Sequence, residues 1–155
     1  MGWVQVEVWR SALREIVPAS TLESLDRVEA GERWSRHLSA PAPGDPSAWV
    51  ALVDHSLVGI AAAGPTTDDE AQVGEVRLVN VVASHQHKGV GRGLVDAAVA
   101  GLVEAQHARA VAWLPASDAL AGGFFHSLGW RPDRARRTVE LCGVAVSQIR
   151  WGIQW

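Results

Sequence analysis

Residues 81–94 read Val-Val-Ala-Ser-His-Gln-His-Lys-Gly-Val-Gly-Arg-Gly-Leu. A valine-rich run enters a loop with glycines at 89, 91 and 93, and helical spacing follows at once. Glycines in such a loop let the backbone approach a ligand and turn successive N–H groups toward one point. The positive end of the following helix dipole lies beside them, and together these make an anion cradle suited to phosphate. Lys88 and Arg92 add fixed positive charge.

Three phosphate-binding patterns compete for this stretch, beside a glycine-rich turn that binds nothing. The P-loop needs GxxxxGK[ST], but here Lys88 precedes the glycines and no Ser or Thr follows. The dinucleotide fingerprint GxGxxG has its first two glycines at Gly89 and Gly91, but Leu94 stands where the third belongs. The pattern Q/R-x-x-G-x-G/A is met in full by Gln86-His87-Lys88-Gly89-Val90-Gly91.

Other chemistry is thinly spread. Cys142 is the single cysteine, which excludes an internal disulfide and a cysteine-based zinc site. The six histidines include no HxxxH or HExxH pair, so no metal is expected. Tyrosine is absent while tryptophan occurs eight times. With 14 basic and 17 acidic side chains the net charge is −3, which argues against gripping nucleic acid. No basic leader and no long uncharged apolar run is visible, so a cytoplasmic protein without a membrane anchor is expected.

The elements that must position the loop can be read on either side of it. The 155 residues suit one domain, 1–155. Residues 3–16 have helical spacing and stop at Pro18; 20–39 read as one or two more helices capped at Ser20 or Thr21, with Trp34 and Leu38 on one face. Residues 40–46 form a proline-rich loop. Strands are expected at 48–53, 57–63 and 73–82, with an acidic loop at 65–72. A helix over 89–106, a strand at 110–114 and a helix over 118–128 capped by Gly129 follow. A final hairpin, 136–142 and 146–153, turns at Gly143. The class is α/β with a mixed sheet, and the 73–114 unit pairs its strands in parallel. Trp49, Trp113 and Trp130 read as core, and Cys142 as a small hydrophobe. Trp151 and Trp155 suggest a homodimer seam on the C-terminal strand, or a lid over a groove.

At this point the chain resembles the GNAT acetyltransferase superfamily. The first motif is the one at 86–91, entered from Glu75-Val-Arg-Leu-Val-Asn-Val-Val82. A second family motif, N-x-x-A-x-x-F-Y-x-x-x-G-F, is matched in spacing by Asp118-Ala-Leu-Ala-Gly-Gly-Phe124-Phe125-His-Ser-Leu-Gly129-Trp130. Asp118 replaces Asn, Phe125 replaces Tyr and Trp130 replaces Phe. The resemblance implies a mostly antiparallel twisted sheet flanked by helices. The family's first strand has no counterpart before residue 3, which leaves the next strand at the edge.

The resemblance also implies a reaction: acetyl-CoA gives its acetyl group directly to a primary amine, with a small-molecule acceptor and no metal. By it, the pyrophosphate rests on backbone from His87, Lys88, Gly89, Val90 and Gly91 to Arg92 and Gly93, after Gln86. The pantetheine arm runs along Val79 to Val82, the Val81 N–H holds the acetyl carbonyl, and Asp118 and Phe125 border the coenzyme. Glu75 stands where many members place a carboxylate that takes the amine proton through water; read alone, it is a solvated strand residue. Asp68, Asp69 and Glu70 are alternatives. Phe125 occupies the position of the Tyr that protonates the leaving thiolate, and Phe cannot; Ser117 or His85 could substitute through water. The competing reading is an acyl-CoA-binding sensor or interaction module without catalysis.

Overall fold

The computed structural model describes residues 1–41, 46–68 and 70–155. Most of the proline-rich loop, and Asp69, lie outside them. Three helices open the chain: α1 (Gly2–Ala12), α2 (Ala19–Glu23) and α3 (Arg27–Ser39). The expected cap at Ser20 or Thr21 is not used. α2 starts behind Pro18 without a side-chain cap, and Asp26 caps α3 by accepting from the N–H groups of Val28 (2.6 Å) and Glu29 (3.1 Å). Trp34 packs inward while Leu38, one turn on, is exposed.

Six strands follow: β1 (Ser47–Val53), β2 (Ser56–Pro65), β3 (Val73–Val81), β4 (Arg109–Pro115), β5 (Arg131–Leu141) and β6 (Val144–Gln154). Helix α4 (Val90–Glu104) joins β3 to β4, and α5 (Ala119–Ser127) joins β4 to β5. The sheet order is β1-β2-β3-β4-β6-β5, and among the described residues only the β3–β4 pairing is parallel. The final hairpin is longer than expected because β5 begins at Arg131, with an irregular stretch between Pro132 and Arg136. Cys142 (φ 51°) and Gly143 (φ 77°) form its two-residue turn, both in the left-handed region that tight hairpins favour.

The two faces of the sheet are covered differently. On one, α4 and α5 bury the main core, in which Trp130 (1% exposed) meets Phe125 edge-on at 5.0 Å between ring centroids. Trp49 leans on this core beside Gly101, where a Cβ would lie 2.4 Å from its indole. On the other face Val4 of α1 packs on Val58, Ile60 and Val82. Trp151 packs into the main core against α5, as an inward side chain rather than a lid or seam. β6 has strand partners on both edges, β4 and β5, so a second copy could not pair with it as a strand. The edge strands are β1 and β5. No helix among the described residues is long and apolar enough to cross a membrane.

Candidate active site

The sheet splits beside the glycine loop. β3 and β4 pair only at Val73↔Arg109, Gly74↔Ala110 and Glu75↔Val111. Beyond that β3 runs six more residues with no strand partner on this side among the described residues. The cause is local: Leu78 pairs with Ala62 and Val76 with Ala63, so Arg77 is an extra residue, and a bulge bends its strand. The Val82 N–H donates to Val58 of β2 at 3.0 Å. Successive strand residues alternate the edge to which their N–H points. The N–H groups of Val79 and Val81 therefore face the gap.

A 3-10 turn, Ala83–His85, and a tight turn over 86–89 connect β3 to α4. The Gln86 side chain donates to the Val81 carbonyl at 3.0 Å, tying the loop to the end of β3. His87 (φ 58°) and Gly89 (φ 85°) are left-handed, which turns the chain into the helix. The first bond back along α4 is Gly93 N–H to Gly89 C=O, 3.0 Å. The N–H groups of Val90, Gly91 and Arg92 precede it and have no intrahelical acceptor. A Cβ at Gly89 or Gly93 would meet nothing within 4 Å, whereas one at Gly91 would lie 3.2 Å from Phe124 Cζ. Lys88 and Arg92 are exposed on either side. The loop thus presents free donors, open space and positive charge, which fit a diphosphate.

The second motif lies next to the first. Phe124 packs toward Gly91, while Phe125 is 5% exposed in the main core. The Asp118 carboxylate accepts from the Ala121 N–H at 2.9 Å, capping α5. His126 and Ser117 are exposed, and His85 Nδ1 shares a 3.0 Å contact with Ser84 Oγ.

Glu75 is no solvated strand residue. It is 4% exposed and lies on the face opposite α4. Its Oε2 accepts from Thr67 N–H (3.2 Å), Thr67 Oγ1 (3.3 Å) and Thr66 Oγ1 (3.4 Å), and Oε1 faces an Arg137 nitrogen at 3.9 Å. Around it lies an ionic network that the sequence reading missed. Arg150 contacts Asp133 (2.7 Å), Asp68 (3.2 Å) and Glu70, and Arg109 also contacts Glu70. Trp113 is a correction: it donates to Asp68 at 3.1 Å under the Arg137 guanidinium, 4.3 Å from the ring centroid, on this charged face rather than in the core. Asp68 and Glu70 are thus tied down as ion-pair partners. Local spacing carries no sign of this network: Trp113 and Arg150 face each other only through the register of β4 and β6.

Hydrogen bonds from Arg150 and then Arg109 hold the Glu70 carboxyl below its ordinary pKa, against an opposing burial effect. Burial disfavours the Arg150 charge, but its hydrogen bonds to the carboxylates of Glu70, Asp133 and Asp68 outweigh it and raise its pKa. Glu70's folded value lies below its unfolded one, so its contribution is present at neutral pH and fades as pH falls through the depressed value. Thermal melts from pH 7 to pH 3 should show Glu70→Gln melting below wild type at pH 7 and the two curves converging at the acid end.

Asn80 stands apart from this network. It is 6% exposed, and its Nδ2, like His107 Nδ1, is buried with no hydrogen-bond partner among the described residues. Leaving such a group unpaired costs about 1–3 kcal/mol. One signal could have found it: a lone amide inside the run Leu78-Val-Asn-Val-Val82. Among the described residues no group of three His, Cys, Asp or Glu side chains is arranged to hold a metal.

Fold and loop define a class: an α/β domain whose sheet opens beside a helix start with free N–H donors. Residues 44–132 match the acetyltransferase (GNAT) domain, and the chain belongs to that family. The uncharacterized N-acetyltransferase YuaI of Bacillus subtilis (strain 168) is 26% identical over 156 positions, covering 98% of this chain and 83% of YuaI. The ribosomal-protein-alanine N-acetyltransferase of Brucella melitensis superposes with a TM-score of 0.71 at 19% identity, over 99% of this chain and 94% of that one. The PaiA N-acetyltransferase of Thermoplasma acidophilum, solved in complex with coenzyme A, gives 0.69 at 14% identity, over 99% and 90%. At these identities the two structures bear on the fold alone.

Proposed function

We propose that this protein transfers an acetyl group from acetyl-CoA to a primary amine within a ternary complex. The observation that carries the reading is the coincidence of the split sheet with the glycine loop. Free donors at the start of α4 would take the diphosphate, and the unpaired edge of β3 would take the amide-bearing arm as an added strand. The Val81 N–H would donate to the acetyl oxygen as charge gathers on it. The amine nitrogen attacks the carbonyl carbon, an N–C bond forms, the C–S bond breaks, and the amine gives up a proton.

Glu75 would take that proton at Oε1 through a chain of waters, because at about 3.3 Å per strand residue it stands well beyond one water from Val81, while the threonine bonds anchor Oε2. Phe125 leaves the thiolate without a side-chain acid. A thiol pKa of about 8.5 makes that tolerable. Phe125→Tyr should raise kcat, by at most about a hundredfold, where protonation of the leaving group limits turnover. Steady-state rates of the two proteins with one amine check this; equal rates would place the limit at amine attack.

The same features support a second reading, an acyl-CoA-binding module without catalysis, since Phe125 carries no acid and Asp118 is engaged as a helix cap. Thiol release from acetyl-CoA across a broad amine panel separates them. Turnover of any amine eliminates the pure binder, and tight binding without turnover favours it.

A further inference from the structure

We propose that Asn80 is a specificity-determining residue for the acceptor, selecting primary amines that carry an oxygen on the neighbouring carbon. This rests on the acetyl-transfer reading above. Asn80 directly precedes Val81 and lies in the part of β3 that has no partner on its β4 side. It pairs in register with Ile60, and Glu75 pairs with Gly64, so both side chains share the face opposite α4. Its Nδ2 is buried with no hydrogen-bond partner among the described residues, and its neighbours on that face include Ile60, its register partner, and Val82, two residues on.

An amide held this way is a standing cost to the fold, since an isosteric leucine would suit the same surroundings better. A bound acceptor, reached by a turn of the side chain that uncovers Nδ2, would pair both ends of the amide. The amide carbonyl accepts one N–H of the amine, which turns the nitrogen lone pair toward a carbonyl held at Val81. The amide NH2 donates to an oxygen next to the aminated carbon. Amino alcohols and α-amino carbonyl compounds both offer that pair of groups, and plain alkylamines offer only the first. A site built around a buried amide discriminates because the unmatched substrate leaves it unpaired.

The test compares wild type, Asn80→Leu and Asn80→Ala on matched amines: ethanolamine against propylamine, and amino-acid amides and dipeptides against alkylamines of equal length. Intrinsic amine reactivity cancels when each preference ratio is compared between proteins. Wild type should favour the oxygen-bearing member of a pair, and both variants should reduce that ratio by about tenfold to a hundredfold. Preference confined to the amino alcohols, or to the α-amino carbonyl compounds, identifies the source of the oxygen. Acetyl-CoA affinity by calorimetry should not change, and Asn80→Leu should melt at a higher temperature than wild type. Unchanged ratios overturn the inference and leave the acetyl-transfer reading standing, as does an Asn80→Leu protein that melts lower. Acetyl-CoA binding without turnover of any matched amine overturns it together with catalysis, and absence of acetyl-CoA binding overturns the whole functional reading.

Discussion

Gly91→Asp should abolish acetyl-CoA binding and leave a folded protein. The added Cβ would lie 3.2 Å from Phe124 Cζ, close enough that the ring must give by a few tenths of an ångström. The carboxylate itself suits the first turn of α4, because acidic side chains stabilise a helix N-terminus. It would place a negative charge in the turn that carries the free N–H groups. Two unit charges about 4 Å apart repel by about 4 kcal/mol at an effective dielectric of about 20, which is close to a thousandfold in Kd. Gly91→Ala carries the same Cβ without the charge and should lose far less. Calorimetric titration of both variants, with circular dichroism as the check on folding, separates charge from bulk. Wild-type affinity in Gly91→Asp would mean that the phosphates bind elsewhere.

Val81→Pro should lower kcat by about 10²–10³-fold, the usual effect of removing one oxyanion donor. Proline removes the backbone N–H, which in most strands would also break the sheet. Here the Val81 N–H faces the gap, and the ladder to β2 runs through its neighbours, as with Val82 N–H to Val58 C=O at 3.0 Å. The sheet bond is therefore spared. Saturating rates with one amine, alongside acetyl-CoA affinity, check the outcome. A kcat within threefold of wild type would remove Val81 from the chemistry.

The glycine loop and the second motif were legible because their chemistry lies in local spacing. Gly89 needs its left-handed φ wherever the loop sits, and Gly129 ends α5 at a φ of 92° on the same grounds. The parallel β3–β4 pairing was legible from the strand–helix–strand order. The split between those strands was not, because it follows from a one-residue bulge at Arg77 that leaves no periodic trace in a valine-rich run. The ionic face was hidden for a different reason. Asp68 and Arg150 are 82 residues apart and meet only through the β4–β6 register. Trp113 alternates with aliphatic residues, as a core tryptophan would, and only the arginines that reach it from β5 and β6 make its face polar. The place of Trp151 was hidden because the last strand inserts between β4 and β5, which turns this indole onto the main core while Trp155 stays exposed.

Calorimetric titration of the wild-type protein with acetyl-CoA tests the central claim most directly. The account predicts saturable binding at one site per chain, at or below tens of micromolar, that Gly91→Asp removes. No heat of binding in that range would contradict it, and the cradle at the start of α4 would then be a turn that binds nothing.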